Sequence, residues 1–254
     1  HSPIFVDVRS FDSLRQVRKQ QTQSGTHVSV KQASLDQVAQ RLAQVHGPSR
    51  AFSGDGLRTK LTGLMNPYVN EALFADFVVV VEGEEDKALI EAYLSMEPGW
   101  VDVSTRAIAV VPVGGKTNLD KMSAILGLLE IPHFLVFDCD GEGGDRSAES
   151  GRWNEVLGRL ASVHTPEAMP VTGCGNHHAV FAPTITEVVK QEMGPQEWTA
   201  VRDAACSELG IEIHKDVVKN AEVLRRMLRR AASDGMSSPS LEAASRAIVA
   251  AVER

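Results

Sequence analysis

The sequence predicts an α/β fold: a parallel sheet flanked by helices, followed by an additional helical unit. Three observations carry this. Residues 77–81, 107–111 and 133–137 are continuous apolar runs rich in Val, Ile and Phe. Runs that do not alternate with polar residues read as strands covered on both faces. Residues 84–97 and 119–130 lie between them and carry apolar stripes at helical spacing, through Ala88, Leu89, Ala92, Tyr93 and Met96 and then Leu119, Met122, Ile125, Leu126 and Leu129. Near the end, Val217, Ala221, Leu224, Leu228 and Ala231 recur at spacings of four, three, four and three, which puts them on one helical face.

The connections between the three core strands are long enough for right-handed crossovers, so a ligand belongs at the carboxyl ends of the strands. In chain order, residues 4–8 and 27–31 read as short strands, and 36–46 and 57–75 as helices. After the core come a helix over 152–162, a short strand over 178–182, and helices near 195–209, 215–232 and 240–253. No period of about 20–50 residues repeats, which excludes solenoids and propellers.

Composition narrows the function. At 254 residues, with 43% hydrophobic and 23% charged, the chain has enough apolar surface for a real core, which excludes disorder, collagen and a disulfide mini-scaffold. Its longest apolar runs fall far short of the roughly 20 residues a bilayer demands, so no membrane partner is expected. The three cysteines, Cys139, Cys174 and Cys206, lack metal-ligand spacing, and no secretory signal pattern opens the chain. A cytoplasmic location is the expectation. A net charge of −7 argues against coating nucleic acid by bulk charge. A local basic groove, or carboxylates gathered around cations, stays open.

Each core strand runs into a chemically pointed turn: Glu82-Gly83-Glu84-Glu85-Asp86, Gly114-Gly115-Lys116, and Asp138-Cys139-Asp140-Gly141. Acids at the ends of neighbouring buried strands repel one another unless a cation offsets them, and hard carboxylate oxygens suit Mg²⁺ or Mn²⁺. Glu82 ends its strand and Asp86 falls in the first helical turn, so both can face one point. Asp138 and Asp140 share a face at the next strand end. Singly, each motif has a bland explanation in helix-dipole or turn chemistry. Their occurrence at two ends of one sheet favours a site.

This pattern resembles the Toprim domain shared by topoisomerases, bacterial primases and several nucleases. Gly114-Gly115-Lys116-Thr117-Asn118 resembles the Gly-Lys-x-Asn turn of the OLD (overcoming lysogenization defect) nucleases, and the opening residues from His1 to Asp7 resemble the His-switch segment that closes the ABC-type ATPase preceding Toprim in those proteins. The resemblance, to class 2 OLD proteins, implies an ATPase tail with linker strands over 1–34, a helical linker over 35–75, a Toprim catalytic region over 76–190 and a helical domain over 191–254. It implies a metal-dependent DNA endonuclease using two divalent ions, Mg²⁺ with Mn²⁺ or Ca²⁺ able to substitute in binding. DNA, the protein's own N-terminal ATPase region and a second copy of the chain are the implied partners. Glu82, Asp86, Asp138 and Asp140 would be catalytic ligands.

Two more positions rest on the resemblance. Glu187, in Pro183-Thr184-Ile185-Thr186-Glu187, would be a ligand for the second ion, although Thr184 and Glu187 also form a capping box. Lys219 is the expected catalytic lysine of the helical region, with Lys215 one turn away. Arg225, Arg226, Arg229 and Arg230 form a basic face whose default reading is a solvated surface; Arg225, Arg226, Arg229 and Lys116 are the candidate DNA contacts. Gly173-Cys174-Gly175-Asn176-His177-His178 reads as a loop rather than a zinc site.

Three rival readings differ in class. A P-loop NTPase needs a Gly five residues before Gly115-Lys116, where Val110 sits in an expected strand. A non-catalytic Toprim module for DNA binding or assembly would tolerate loss of the acids, yet all are present. A topoisomerase needs a nucleophilic Tyr, and Tyr68 and Tyr93 both fall on expected helices.

Overall fold

The computed structural model describes residues 2–22, 25–48, 50–140, 145–214 and 217–254; His1 and Lys215 lie outside the described residues. The chain opens on two 3₁₀ turns, Pro3–Phe5 and Val8–Ser13, then an antiparallel hairpin of β1 (Gln16–Thr22) and β2 (Gly25–Lys31). Helices α1 (Leu35–His46), α2 (Gly54–Leu64) and α3 (Pro67–Asn70) lead to the core: β3 (Phe77–Val81), α4 (Glu84–Met96), α5 (Trp100–Val103), β4 (Ile108–Pro112), α6 (Lys116–Leu128) and β5 (His133–Asp138). Helix α7 (Asp145–Leu160), strands β6 (Gly173–Cys174) and β7 (His178–Phe181), and helices α8 (Ile185–Met193), α9 (Pro195–Leu209), α10 (Ala221–Ser233) and α11 (Pro239–Glu253) complete it.

The main sheet runs β4-β3-β5-β7-β6, with β3 parallel to β4 and β5, β5 parallel to β7, and only β6 antiparallel. Every residue of β3 is buried, as a central strand covered on both sides requires. Because side chains alternate, Val79 and Val81 join one apolar core with Leu89, Tyr93, Trp198, Leu224 and Ile248, while Val78 and Val80 join another with Leu42, Leu61, Met122, Ile125 and Leu157. The C-terminal helices thus cover one face of the sheet together with α4, and α1, α2, α6 and α7 cover the other. Each fully buried Val, Leu or Phe contributes about 1.5–3 kcal/mol, and this two-sided burial fixes where the strand ends fall.

The structure corrects several sequence-level expectations. Residues 4–8 are not a strand: Pro3 opens a 3₁₀ turn and the Asp7 carboxylate accepts from the Arg9 N–H, bending the chain instead. The helix expected over 57–75 breaks at Asn66, whose side-chain oxygen accepts from the N–H groups of Tyr68 and Val69 and starts α3 afresh. The helix expected over 215–232 begins at Ala221; Asn220 caps it and Val217–Lys219 form a separate 3₁₀ turn. No helix of the described residues is long and apolar enough to cross a membrane.

Candidate active site

The site forms where β3, β4 and β5 end. Glu82 follows β3, and Gly83 then caps α4 from outside, its N–H donating to the Asp86 carboxylate at 2.9 Å. Glu84, Glu85 and Asp86 fill the first turn of α4, where the helix dipole favours negative charge. After β4 the chain turns through Gly114 and Gly115, at φ +73° and +118°, values open to glycine at little cost. That turn lets the Gly115 N–H reach the Glu82 carbonyl at 2.8 Å and tie the end of β4 to the end of β3.

At the end of β5, the Asp138 N–H donates to Glu82 Oε1 at 3.0 Å, while Asp138 Oδ1 accepts from the Ile185 N–H at 2.8 Å. Asp140 adopts φ +45°, a left-handed conformation that Asp tolerates better than most side chains. A cleft of about 380 Å³ results, lined by Glu82, Gly83, Glu84, Glu85, Asp86, Gly114, Gly115, Asp138 and Lys219.

The electrostatics report crowding. Burial, followed by the neighbouring Asp86 and Glu82 carboxylates, pushes Asp138 up to about 9, although the Ile185 N–H pulls the other way. Burial is also the main reason that Glu82 rises to about 7, against the Asp138 N–H and the Lys116 charge. It raises Asp86 to about 6, against the Gly83 N–H. Asp140 adds repulsion to all three.

Of the residues singled out from sequence, Glu82, Asp86, Asp138 and Lys219 line one cleft. Asp140 sits beside it with a side chain 42% exposed, 3.1 Å from Lys116. Lys219 lies on the 3₁₀ turn before α10, so α10 itself does not carry it. Glu187 is exposed in the first turn of α8, its N–H on the Thr184 hydroxyl and its carboxylate 3.4 Å from Lys190. Thr186, one residue earlier, donates to Glu85, so that turn borders the cleft.

Lys116 is drawn inward. It is only 8% exposed, and its ammonium donates to the carbonyls of Asp138 and Cys139 and to Asp140. A lysine so occupied shapes the Asp-x-Asp turn. The basic face of α10 is likewise largely spent: Arg225 pairs with Glu91 at 2.9 Å, and Arg226 and Arg230 pair with Glu208 at 3.8 and 2.7 Å. These pairs bind α10 to α4 and α9; Arg229 is exposed. Sequence reasoning missed Glu84 and Glu85 as lining residues. They stand in the same acidic run, but a run at a helix start does not announce which members point inward.

Among the described residues no three His, Cys, Asp or Glu side chains already close on one metal-sized point. Glu82, Asp86 and Asp138 each turn one oxygen toward a backbone N–H. The donor set nonetheless fits a hard divalent cation: carboxylate oxygens only, crowded enough to hold protons, in an open cleft.

A parallel sheet with an acidic turn after one strand and Asp-x-Asp after its neighbour defines a Toprim domain. Residues 73–140 match the family described as Overcoming lysogenization defect protein-like, TOPRIM domain. The chain is similar to the OLD nuclease of Thermus scotoductus (strain ATCC 700910 / SA-01), with 33% identity over 144 residues, 55% of this chain and 24% of that protein. It thus spans about a quarter of that relative's length. Among solved structures it is similar to the C-terminal region of the Burkholderia pseudomallei OLD protein, at 20% identity over 70% of this chain and 99% of that one, TM-score 0.45. The C-terminal region of the Xanthomonas campestris pv. campestris OLD protein gives 15% identity over 72% of this chain and 96% of that one, TM-score 0.47.

Proposed function

We propose that this chain is a metal-dependent DNA endonuclease, the nuclease part of a longer OLD protein that also carries an ABC-type ATPase. The observation that carries the reading is the gathering of Glu82, Asp86 and Asp138 with Lys219 in one cleft, where burial and mutual repulsion lift all three acids. Such crowding is costly without a compensating cation and useful with one. The similarity of residues in this chain to an OLD nuclease supports the same reading.

Divalent ions bound there would supply an activated water and charge to stabilise the leaving 3′ oxygen. Glu82 and Asp138 would hold them, with Asp86 and Asp140 contributing directly or through water. Glu187 would add a ligand to the second ion on leaving Lys190. The Lys219 ammonium, in the lining of the same cleft, would neutralise charge growing on the scissile phosphate. Lys116 would hold the Asp138-Cys139-Asp140 backbone in place beneath the acids. The same commitment of Lys116 removes the ammonium that a P-loop reading needs, and Val110 lies inside β4 as that reading forbids.

Supercoiled plasmid should be nicked and linearised with Mg²⁺ or Mn²⁺ and left whole with EDTA. Intact plasmid at high protein and metal concentrations would refute the reading. Lys219→Ala should lower the cleavage rate by about 100-fold or more with DNA affinity nearly unchanged, because a donor that acts on transition-state charge is missed mainly in the chemical step. An equal rate in the variant, followed over a time course at saturating DNA, would take Lys219 out of the chemistry.

A further inference from the structure

The acidic cleft does not end at its glycines. Gly83, Glu84 and Gly114 also line a second hollow of about 330 Å³, which continues between α2, α3 and the start of α6 past Gly63, Asn66, Val69 and Asn118. Three of its lining residues are glycines, so the passage is open to an extended chain. Tyr68, 77% exposed, stands on α3 between the lining residues Asn66 and Val69. An aromatic side chain left this far in solvent on a one-turn helix gains little from the core. It offers a flat face to a nucleobase.

Cations stand on the elements that bound this second hollow. Lys60 lies one turn before Gly63 and Leu64 on α2, on the same helical face, and is exposed. On α6, Lys121 is buried against Asp120 at 3.2 Å, and Asp120 is itself held by His46 at 2.8 Å, so the Asp120 charge is spent within the protein. The Lys121 ammonium lies 3.5 Å from the lining residue Asn118, and Lys60 and Arg50 both act electrostatically on Lys121. Arg50 is exposed and stacks over Trp153, its guanidinium 5.0 Å from the ring centroid. Of the two adjoining hollows, one is lined by the carboxylates, and the other is bounded by elements that carry an exposed aromatic ring and exposed cations.

We propose that this hollow is the track of the DNA strand flanking the scissile phosphate, with a base on Tyr68 and backbone phosphates on Lys60 and Arg50. The proposal rests on the nuclease reading and deepens it. A polyanion laid along this path would meet offset charge at both ends, bound divalent ions at the acids and ammonium or guanidinium groups at the other end.

The test measures binding and turnover separately on the whole chain: anisotropy of a short fluorescein-labelled DNA single strand in Ca²⁺, and cleavage rates in Mg²⁺. Gly63→Glu is the cleanest variant, since a Cβ there meets nothing within 4 Å and the position is helical. Its thermal midpoint should not fall. Gly63→Glu, Lys60→Glu and Tyr68→Ala should each raise the dissociation constant by about tenfold, with the rate at saturating DNA kept within about twofold. Lys60→Glu should also flatten the salt dependence of binding. Wild-type affinity in Gly63→Glu and Lys60→Glu, in a protein that does cut DNA, would overturn the track and leave the nuclease reading standing. Lost turnover at unchanged affinity would overturn it too, by making these residues part of the cleft's shape. A wild-type chain that neither binds nor cuts would overturn both.

Discussion

Asp138→Asn is expected to lower cleavage by about a thousandfold or more and, in EDTA, to raise the thermal midpoint by roughly 3–8 °C. Asp138 is the acid pushed furthest, to about 9, first by burial and then by Asp86 and Glu82. At neutral pH the metal-free protein must hold a proton there, and each displaced pKa unit corresponds to about 1.4 kcal/mol. Asn keeps an oxygen for the Ile185 N–H, 2.8 Å from Asp138 Oδ1, and removes the charge that a cation would require. Glu82→Ala should be equally inactive but gain less stability, because the Asp138 N–H would lose the acceptor it now has at 3.0 Å. Plasmid cleavage and thermal unfolding in EDTA check both halves. An inactive Asp138→Asn whose midpoint drops by several degrees would make the acid a structural group.

The second large effect is on pH. Without divalent ions the midpoint should fall as pH rises from about 5 to 9, and saturating Mg²⁺ should restore it most at the alkaline end. Glu82, Asp86 and Asp138 stand at about 7, 6 and 9 in the folded chain, against ordinary values of 4.5, 3.8 and 3.8. Between the ordinary and raised values the folded state binds more protons than the unfolded one, so stability declines as pH increases through that window. Below about pH 4 both states are protonated and this contribution vanishes. A divalent ion binds only the ionised carboxylates and reverses the trend. Scanning calorimetry at fixed ionic strength, with EDTA and then with Mg²⁺, tests this. A midpoint flat from pH 5 to 9 and indifferent to Mg²⁺ would mean the three acids are not a coupled cluster.

The central strands and their acids were legible before any coordinates. The continuous run at 77–81 is β3 to the residue, and the run at 133–137 is β5 short of its final Asp138. An uninterrupted stretch of Val and Phe has one comfortable environment, the middle of a sheet covered on both sides, and the parallel topology then sends acidic strand ends to one edge. Strand β1 was invisible for the opposite reason. Gln16–Thr22 is polar, and only its pairing with Gly25–Lys31 makes it a strand.

What the sequence by itself determined is the α/β core and the sharing of one sheet edge by Glu82, Asp86, Asp138 and Asp140. Apolar periodicity and the short links from strand to acid are local, so they hold however the rest of the chain packs. What only the tertiary structure decided is where the long cationic side chains go. Lys116 and Arg225 read alike as candidate DNA contacts, yet one is drawn under the Asp-x-Asp turn and the other onto Glu91. Lys219, on a turn that breaks the expected helix, reaches the cleft. A flexible side chain ends on whichever oxygens the packed fold brings within its reach, and those oxygens come from elements dozens of residues away.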